Sequence, residues 1–221
     1  MLTEQANGVY VFHSQYTALQ RMSDYTQEQI KNEPMLFNCT FQYAWEHGGP
    51  ITREFLKLLH EYWQEDSVFD SRVHMLMPGW FPCIPGYHHD DVPRTRADGQ
   101  PNYDDPNHYS QHIMATVNGE IAPTYGVTGT VVVPIAPLGQ KIYSVWHDYL
   151  TKEIKSDRLT EEAIPSNLLV EFDSNFFHRG SAAVKNGWRW FGRISRNTTR
   201  KPSNEIRRQA QVYMSDLTEG W

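Results

Sequence analysis

The chain has 221 residues, of which 39% are hydrophobic and 21% are charged, a composition typical of folded globular proteins. This length suits one domain with a sizeable core, so we predict a single domain over residues 1–221. The net charge of −6 lacks the basic character of nucleic-acid-binding proteins and argues against nucleic acid as a partner.

The sequence also argues against a membrane partner. No stretch approaches the ~20 apolar residues that a membrane span needs. Residues 1–10 lack the basic segment and apolar run of a signal peptide. Cys39 and Cys83 form neither a metal-binding repeat nor a disulfide framework, which fits a reducing compartment. We therefore predict a cytoplasmic protein.

The first third of the chain alternates predicted strands and helices. We expect a strand at 9–12, a helix at 17–31 and a strand at 37–45. The most regular helix is predicted at 50–64, because proline is tolerated in the first turn and apolar residues recur at helical spacing. These apolar residues are Phe55, Leu58, Leu59, Tyr62 and Trp63.

The remaining two thirds are dominated by short strands. We expect strands at 72–77, 110–117, 125–135 and 168–172, and a helix, or a strand running into a helix, at 143–155. Asn186-Gly187 predicts a hairpin turn before a returning strand at 188–195, and 204–214 predicts a closing amphipathic helix. A polar loop at 93–107 is long enough to indicate a functional role. The many short strands favour a mainly β fold, a sandwich or jelly roll with flanking helices.

Residues 85–91, with the sequence Pro-Gly-Tyr-His-His-Asp-Asp, are the strongest candidate for chemistry. Residues i and i+2 of a strand point the same way, so His88 with Asp90, or His89 with Asp91, can bind one metal ion. His178, which follows an apolar predicted strand, is the candidate third ligand. Two imidazoles and one carboxylate on one face are typical of non-haem iron(II) oxygenases and leave positions open for a co-substrate and oxygen.

Two arginines follow the distal histidine. Arg189 and Arg193 lie eleven and fifteen positions after His178, on one face of the predicted strand, with Phe191 between them. A guanidinium fork matches a carboxylate with two hydrogen bonds. An arginine that points inward from an aromatic-rich strand is costly to bury without a charged partner.

Together these residues resemble the signature of the iron(II)- and 2-oxoglutarate-dependent oxygenases, a family with a double-stranded β-helix (jelly-roll, cupin-like) core. The resemblance covers residues 85–196. It implies that His88, Asp90 and His178 are the metal ligands and catalytic residues, because the preceding Pro-Gly turn resembles the family's approach to its first ligand. It also implies that Fe(II) and 2-oxoglutarate are the cofactor and co-substrate.

The family spacing favours Arg189 as the anchor for the distal carboxylate of 2-oxoglutarate. Arg193 is the second candidate, or binds an acidic group of the substrate. The carboxylate of Asp90 leaves no vacant position for chloride, so the resemblance implies hydroxylation by molecular oxygen, or a related desaturation or ring formation, rather than halogenation.

The substrate is predicted to be a small amino-acid-like metabolite or a peptide residue. We expect it between the Trp80 turn and the 93–112 loop, near aromatic residues and three acids that can meet an amine. The aromatic residues are Trp80, Phe81, Tyr87, Tyr103 and Tyr109, and the acids are Asp98, Asp104 and Asp105.

Two other hypotheses stay open from the sequence. One is a cupin-type metal enzyme that does not use 2-oxoglutarate, in which Arg189 would be paired structurally. The other is a non-catalytic β-sandwich binding module, in which residues 88–91 would be a surface loop.

Overall fold

The computed structural model describes residues 4–6, 8–137 and 139–214. Within these ranges it contains many strands and few helices, which confirms the mainly β class. The helices are α1 (Gln27–Lys31), α2 (Phe41–His47), α3 (Pro50–Lys57) and α4 (Ile142–Lys155). The strands are β1 (Glu4–Ala6), β2 (Val9–Ser14), β3 (Tyr16–Arg21), β4 (Met35–Phe37), β5 (Ser67–Leu76), β6 (Gln111–Val117), β7 (Thr124–Val127), β8 (Gly129–Pro134), β9 (Glu161–Ile164), β10 (Leu168–Asp173), β11 (His178–Gly180), β12 (Gly187–Arg196) and β13 (Glu205–Arg207).

The strands form antiparallel sheets whose neighbours are mostly distant in sequence. The largest sheet has five strands in the order β3-β10-β6-β12-β5, and a three-stranded sheet has the order β11-β7-β9. A second three-stranded sheet has the order β1-β2-β8, and β13 pairs with β4. The five-stranded sheet therefore owes its order to long-range pairing rather than to hairpins.

One face of the five-stranded sheet is covered by α3. Ile51 and Phe55 of this helix are fully buried and share a core cluster with Phe69 and Trp190 of the sheet. The rings of Phe55 and Trp190 are 5.8 Å apart. Burial of each such side chain contributes about 1.5–3 kcal/mol, which holds the helix on this face and leaves the opposite face for the site.

The opposite face packs toward the β11-β7-β9 sheet. Met114 and Val170 of the large sheet share a buried cluster with Ile164 and Phe176. Gly126 in β7 allows this approach, because a Cβ atom at that position would collide with the ring of Phe176. The glycine therefore lets the segment that leads to His178 lie close against β7.

Two N-terminal predictions are wrong. The expected helix at 17–31 begins instead as β3, which ends at Arg21, and only Gln27–Lys31 is helical, with a capping box formed by Thr26 and Gln29. β3 is an edge strand with exposed side chains on both faces, so it lacks the alternation that marks a half-buried strand. The expected strand at 37–45 is replaced by α2, whose N-terminus is capped by the side chain of Thr40.

Three other predictions need correction. The helix expected at 50–64 ends at Lys57 and is followed by a 3-10 turn at Glu61–Trp63, which leaves Tyr62 exposed. Asn186-Gly187 does not close a hairpin, because β12 pairs with β5 and β6 rather than with β11. Residues 204–214 form β13 and an irregular segment instead of a helix. Pairing with β4 decides that local structure.

No helix in the described ranges is long and apolar enough to cross a membrane. The prediction of one domain over residues 1–221 stays a prediction.

Candidate metal centre

The two candidate histidine ligands are brought together by an isolated antiparallel bridge. The backbone N–H of His88 donates to the carbonyl of His178 at 3.1 Å, and the N–H of His178 donates back at 3.3 Å. Residues directly opposite each other in such a pair project their side chains to the same face of a sheet. The two imidazole rings are accordingly 4.6 Å apart, although 90 positions separate them in sequence.

Asp90 completes a group of three candidate ligands. Its Oδ2 lies 3.4 Å from Nε2 of His178, and its Oδ1 lies 3.9 Å from Nε2 of His88. One donor atom from each of the three residues lies within 4.8 Å of the others. Two donors that each lie ~2.1 Å from one ion at a right angle are ~3.0 Å apart, so binding an ion would draw these donor atoms together by up to about 1.8 Å.

Hydrogen bonds orient both imidazoles for metal binding. Nδ1 of His88 lies 3.0 Å from the carbonyl of Gly86, and Nδ1 of His178 lies 3.0 Å from the carbonyl of Phe176. Donation from Nδ1 leaves the Nε2 lone pair directed at Asp90, the arrangement found in metal-binding histidines. Burial, with the adjacent His178, lowers the pKa of His88 to about 3 and keeps it in the neutral, ligating form.

Asp90 is held by an arginine. Nη1 of Arg193 lies 2.5 Å from Oδ2 of Asp90. Burial raises the pKa of Asp90, but the charge of Arg193 and the adjacent His178 together outweigh it and hold that pKa well below the usual range. The carboxylate is therefore ionised and ready to bind a cation.

Arg193 is part of a compact alternating charge cluster. Its Nη2 also lies 3.7 Å from Asp91 and 3.8 Å from Asp70. Arg200 binds Asp91 at 3.1 Å and forms a short ion pair with Asp70. Three carboxylates thus surround Arg193 and, despite its burial, raise the pKa of its guanidinium.

The alternative register, His89 with Asp91, diverges from this centre. The ring of His89 packs 3.9 Å from that of Phe177, and its Nδ1 lies 2.9 Å from the hydroxyl of Tyr103. Asp91 turns to Arg200 instead. The structure brings His88, Asp90 and His178 together and places His89 in an aromatic cluster behind them.

A cavity of about 530 Å³ opens onto the three candidate ligands and also contains Arg189. Arg189 is only 2% exposed, and its Nη2 donates to the hydroxyl of Thr124 at 3.0 Å. Among the described residues, no carboxylate pairs with this guanidinium, and its Nε has no hydrogen-bond partner. Burial lowers the pKa of Arg189 to about 10, and the more distant Cys83 and Glu120 only partly offset this effect.

The strand register explains how the cavity wall is built. Alternate residues of β12 and β5 face the cavity from neighbouring strands of the large sheet. The facing pairs are Arg189 with His74, Phe191 with Arg72, and Arg193 with Asp70. Arg189 and Arg193, which were predicted to share one face of this strand, both line the cavity, and their partners differ.

Much of the predicted substrate surroundings lies elsewhere. None of Trp80, Phe81, Tyr87, Tyr103 and Tyr109 lines this cavity, and neither do Asp98, Asp104 and Asp105. Two of these acids are occupied within the loop, because Asp98 pairs with Arg96 at 3.0 Å and Asp105 accepts from Thr95 at 2.6 Å.

The sequence reasoning missed several residues that do line the cavity. They are Phe37, Arg72, His74, Thr124, Tyr143 and Arg207. Arg72 and His74 carried a usable signal, because polar residues at i and i+2 of a buried strand share a face. Phe37 and Arg207 had none, since long-range pairing of β4 with β13 brings them together.

Comparison with known proteins does not identify a family. No family model matches the chain, and no curated protein matches it. One solved structure that it matches is an N-substituted L-amino acid dioxygenase from Burkholderia ambifaria AMMD, with 14% sequence identity and a TM-score of 0.33. The match covers 57% of this chain and 48% of that one, so it spans about half the neighbour's length. At that TM-score the similarity carries no argument about this chain.

Proposed function

We propose that this protein is a non-haem iron(II)- and 2-oxoglutarate-dependent oxygenase that uses molecular oxygen to oxidise a C–H bond of a small molecule or peptide. The observation that carries the proposal is one cavity holding both a His-Asp-His ligand set and a buried arginine, Arg189, for which the described residues provide no anionic partner. The first feature suits a ferrous ion, and the second suits a dicarboxylate co-substrate.

The path of the chain supports the proposed jelly-roll core. From β5 it passes to the bridge at His88, which joins β11, then to β6 in the large sheet and to β7 in the smaller one. It later runs from β9 in the smaller sheet to β10 in the large one, then to β11 and back to β12. This alternation between two facing antiparallel sheets is the pattern expected of a double-stranded β-helix.

The donor set fits iron(II). His88, Asp90 and His178 provide two imidazoles and one carboxylate from one side, which leaves the cavity side for exchangeable ligands. Iron(II) bound there supplies the redox chemistry that couples decarboxylation of 2-oxoglutarate to substrate oxidation. The overall hydroxylation converts a C–H bond, 2-oxoglutarate and oxygen into C–OH, succinate and carbon dioxide.

Arg189 is proposed to bind the distal carboxylate of 2-oxoglutarate, with the hydroxyl of Thr124 as a second donor. Charge-assisted hydrogen bonds from a buried guanidinium are strong and directional, and a carboxylate relieves the cost of burying the cation. Arg193 was the second candidate for this role. The contacts of Arg193 with three carboxylates favour a different role, in which it keeps Asp90 ionised and oriented toward the ligand position.

The competing hypotheses are less well supported. A cupin-type enzyme without 2-oxoglutarate would have Arg189 paired structurally, whereas among the described residues Arg189 has a hydrogen bond to Thr124 but no carboxylate that balances its charge. A binding module with the cluster on a surface loop leaves the histidines accessible, whereas His88, His89 and His178 are 8%, 3% and 5% exposed.

The test is anaerobic addition of iron(II) and then 2-oxoglutarate to the purified protein. A visible charge-transfer band that needs both additions is expected, and it should be absent in the variants His88→Ala, His178→Ala and Asp90→Asn. Asp91→Asn is the matched control, because it makes the same charge change in the other register and should keep the band. A wild-type protein without the band would refute the proposed function.

A further inference from the structure

The cavity carries more positive charge than its metal centre and co-substrate account for. Among the described residues, six arginines and three aspartates line it: Arg72, Arg94, Arg189, Arg193, Arg200 and Arg207, and Asp70, Asp90 and Asp91. Iron(II) adds two positive charges and 2-oxoglutarate adds two negative ones, so loading the proposed site leaves this excess unchanged. A further anion in the cavity would offset it.

The arginines divide into groups with different partners. Arg193 and Arg200 are neutralised by the three aspartates at the metal end. Arg189 is assigned to the co-substrate, and Arg94 donates to the carbonyl of Gly99 on the rim. Arg72 and Arg207 remain.

Neither Arg72 nor Arg207 forms an ion pair in the part of the chain that the structure describes. The guanidinium of Arg207 lies 4.0 Å from the ring centroid of Phe37, and its buried Nε has no hydrogen-bond partner within the described ranges. Burial, together with the like charge of Arg72, lowers the pKa of Arg207, and the carboxylates of Asp70 and Glu205 only partly offset this effect. Two neighbouring cations that are partly buried and have no direct ion-pair partner among the described residues repel each other, and an anionic ligand stabilises such an arrangement.

The position of the pair suits a substrate rather than the co-substrate. Arg72 lies opposite Phe191 in the strand register, and Phe191 separates Arg189 from Arg193 along β12. Arg207 reaches the cavity from β13, which belongs to another sheet. The two side chains thus approach the cavity from different elements, beside the ligand set and Arg189 but on neither β12 nor the bridge.

We infer that Arg72 and Arg207 form a subsite for a carboxylate or phosphate group of the substrate, an inference that rests on the proposed function. Guanidinium groups from two directions match the several acceptor oxygens of either oxyanion. The substrate is therefore an anionic small molecule or peptide, and its acidic group fixes which C–H bond faces the metal.

The experiment uses the full chain loaded with Mn(II), which does not support turnover, and saturating 2-oxoglutarate, so that Arg189 is occupied. Inorganic phosphate and acetate are titrated by calorimetry, with acetamide as the neutral counterpart of acetate. We expect an oxyanion to bind and acetamide not to bind. In Arg72→Gln/Arg207→Gln, the affinity should fall at least roughly tenfold, as expected for the loss of charge-assisted hydrogen bonds.

Arg208→Gln is the matched control, because Arg208 follows Arg207 directly but is exposed and does not line the cavity. It should bind the probes as the wild type does. Arg72→Lys/Arg207→Lys, which keeps the charges without the planar forks, should show intermediate affinity and covers the case in which the glutamine variant does not fold. Binding of phosphate without binding of acetate identifies a phosphorylated substrate, and binding of acetate without binding of phosphate identifies a carboxylic acid.

The inference is overturned if the wild type binds neither oxyanion, or if both substituted pairs bind them as the wild type does. It is also overturned if the affinity for 2-oxoglutarate falls as far as that for the probes, since the two arginines would then belong to the co-substrate site. The same titration without metal and 2-oxoglutarate measures binding at the two arginines independently of the proposed oxygenase activity. A missing iron charge-transfer band refutes the oxygenase, whereas missing arginine-dependent probe binding refutes the subsite.

Discussion

Replacing Arg189 with glutamine tests whether this residue anchors the co-substrate or stabilises the fold. In a structural role, the guanidinium stabilises the fold, and its loss is costly. In an anchoring role, the protein without bound 2-oxoglutarate carries a buried charge that no anion balances. Removing that charge then costs little unfolding free energy. The variant Arg189→Gln should therefore weaken 2-oxoglutarate binding strongly while leaving the fold intact.

The expected change in unfolding free energy follows from the contacts of this side chain. Burial lowers the pKa of Arg189 to about 10, which corresponds to a cost of roughly 3 kcal/mol for keeping it charged. Glutamine removes that cost but gives up the hydrogen bond to Thr124, worth about 1 kcal/mol. It also gives up part of the packing of the arginine stem, worth about another 1 kcal/mol. The metal-free variant should be as stable as the wild type, or about 1 kcal/mol more stable.

The expected loss of binding free energy for 2-oxoglutarate is larger. Two charge-assisted hydrogen bonds to a carboxylate contribute about 1.5–3 kcal/mol each. Their loss raises the dissociation constant of 2-oxoglutarate roughly a hundredfold or more. The assays are an anaerobic 2-oxoglutarate titration of the iron-loaded protein and urea unfolding of the metal-free protein. Arg189→Lys, which keeps the charge, should be intermediate in binding.

The reasoning is refuted by an unchanged affinity for 2-oxoglutarate in Arg189→Gln. It is also refuted if the metal-free variant loses several kcal/mol of unfolding free energy, because Arg189 would then be required for the fold.

Two further predictions concern the charges around the metal centre. Arg193→Gln should destabilise the metal-free protein by about 3–5 kcal/mol, because buried carboxylates lose their cation. Added Mn(II) should restore part of this loss. An unfolding free energy that changes neither with the substitution nor with Mn(II) contradicts this prediction. His112 is buried between Ser110 and Ser195, and burial lowers its pKa from 6.5 to about 4. The unfolded chain binds a proton between these pH values and the fold does not, so stability falls as pH drops through this window, by at most roughly 1.4 kcal/mol per pH unit. His112→Asn should show a slope shallower by up to that amount, and equal slopes in urea unfolding would exclude the assignment.

The candidate ligands were predictable because their signal is local and chemical. The pattern His88-x-Asp90 follows a Pro-Gly turn, and His178 ends an apolar stretch, so side-chain chemistry and strand periodicity were enough to single them out. The distances among them depend on the bridge between His88 and His178, which pairs residues 90 positions apart. The cavity wall was predictable only where residues alternate along one strand, as Arg189 and Arg193 do.

The sequence by itself determined the mainly β class and the residue types that can bind a metal and a carboxylate, because composition, periodicity and side-chain chemistry are properties of the chain. Tertiary structure alone decided that residues 16–21 form a strand and that residues 205–207 pair with β4. It also decided that Arg193 faces three aspartates while Arg189 faces none in the described chain. The physical reason is that edge-strand pairing and the charge around a buried guanidinium depend on partners distant in sequence, and no local pattern records those partners.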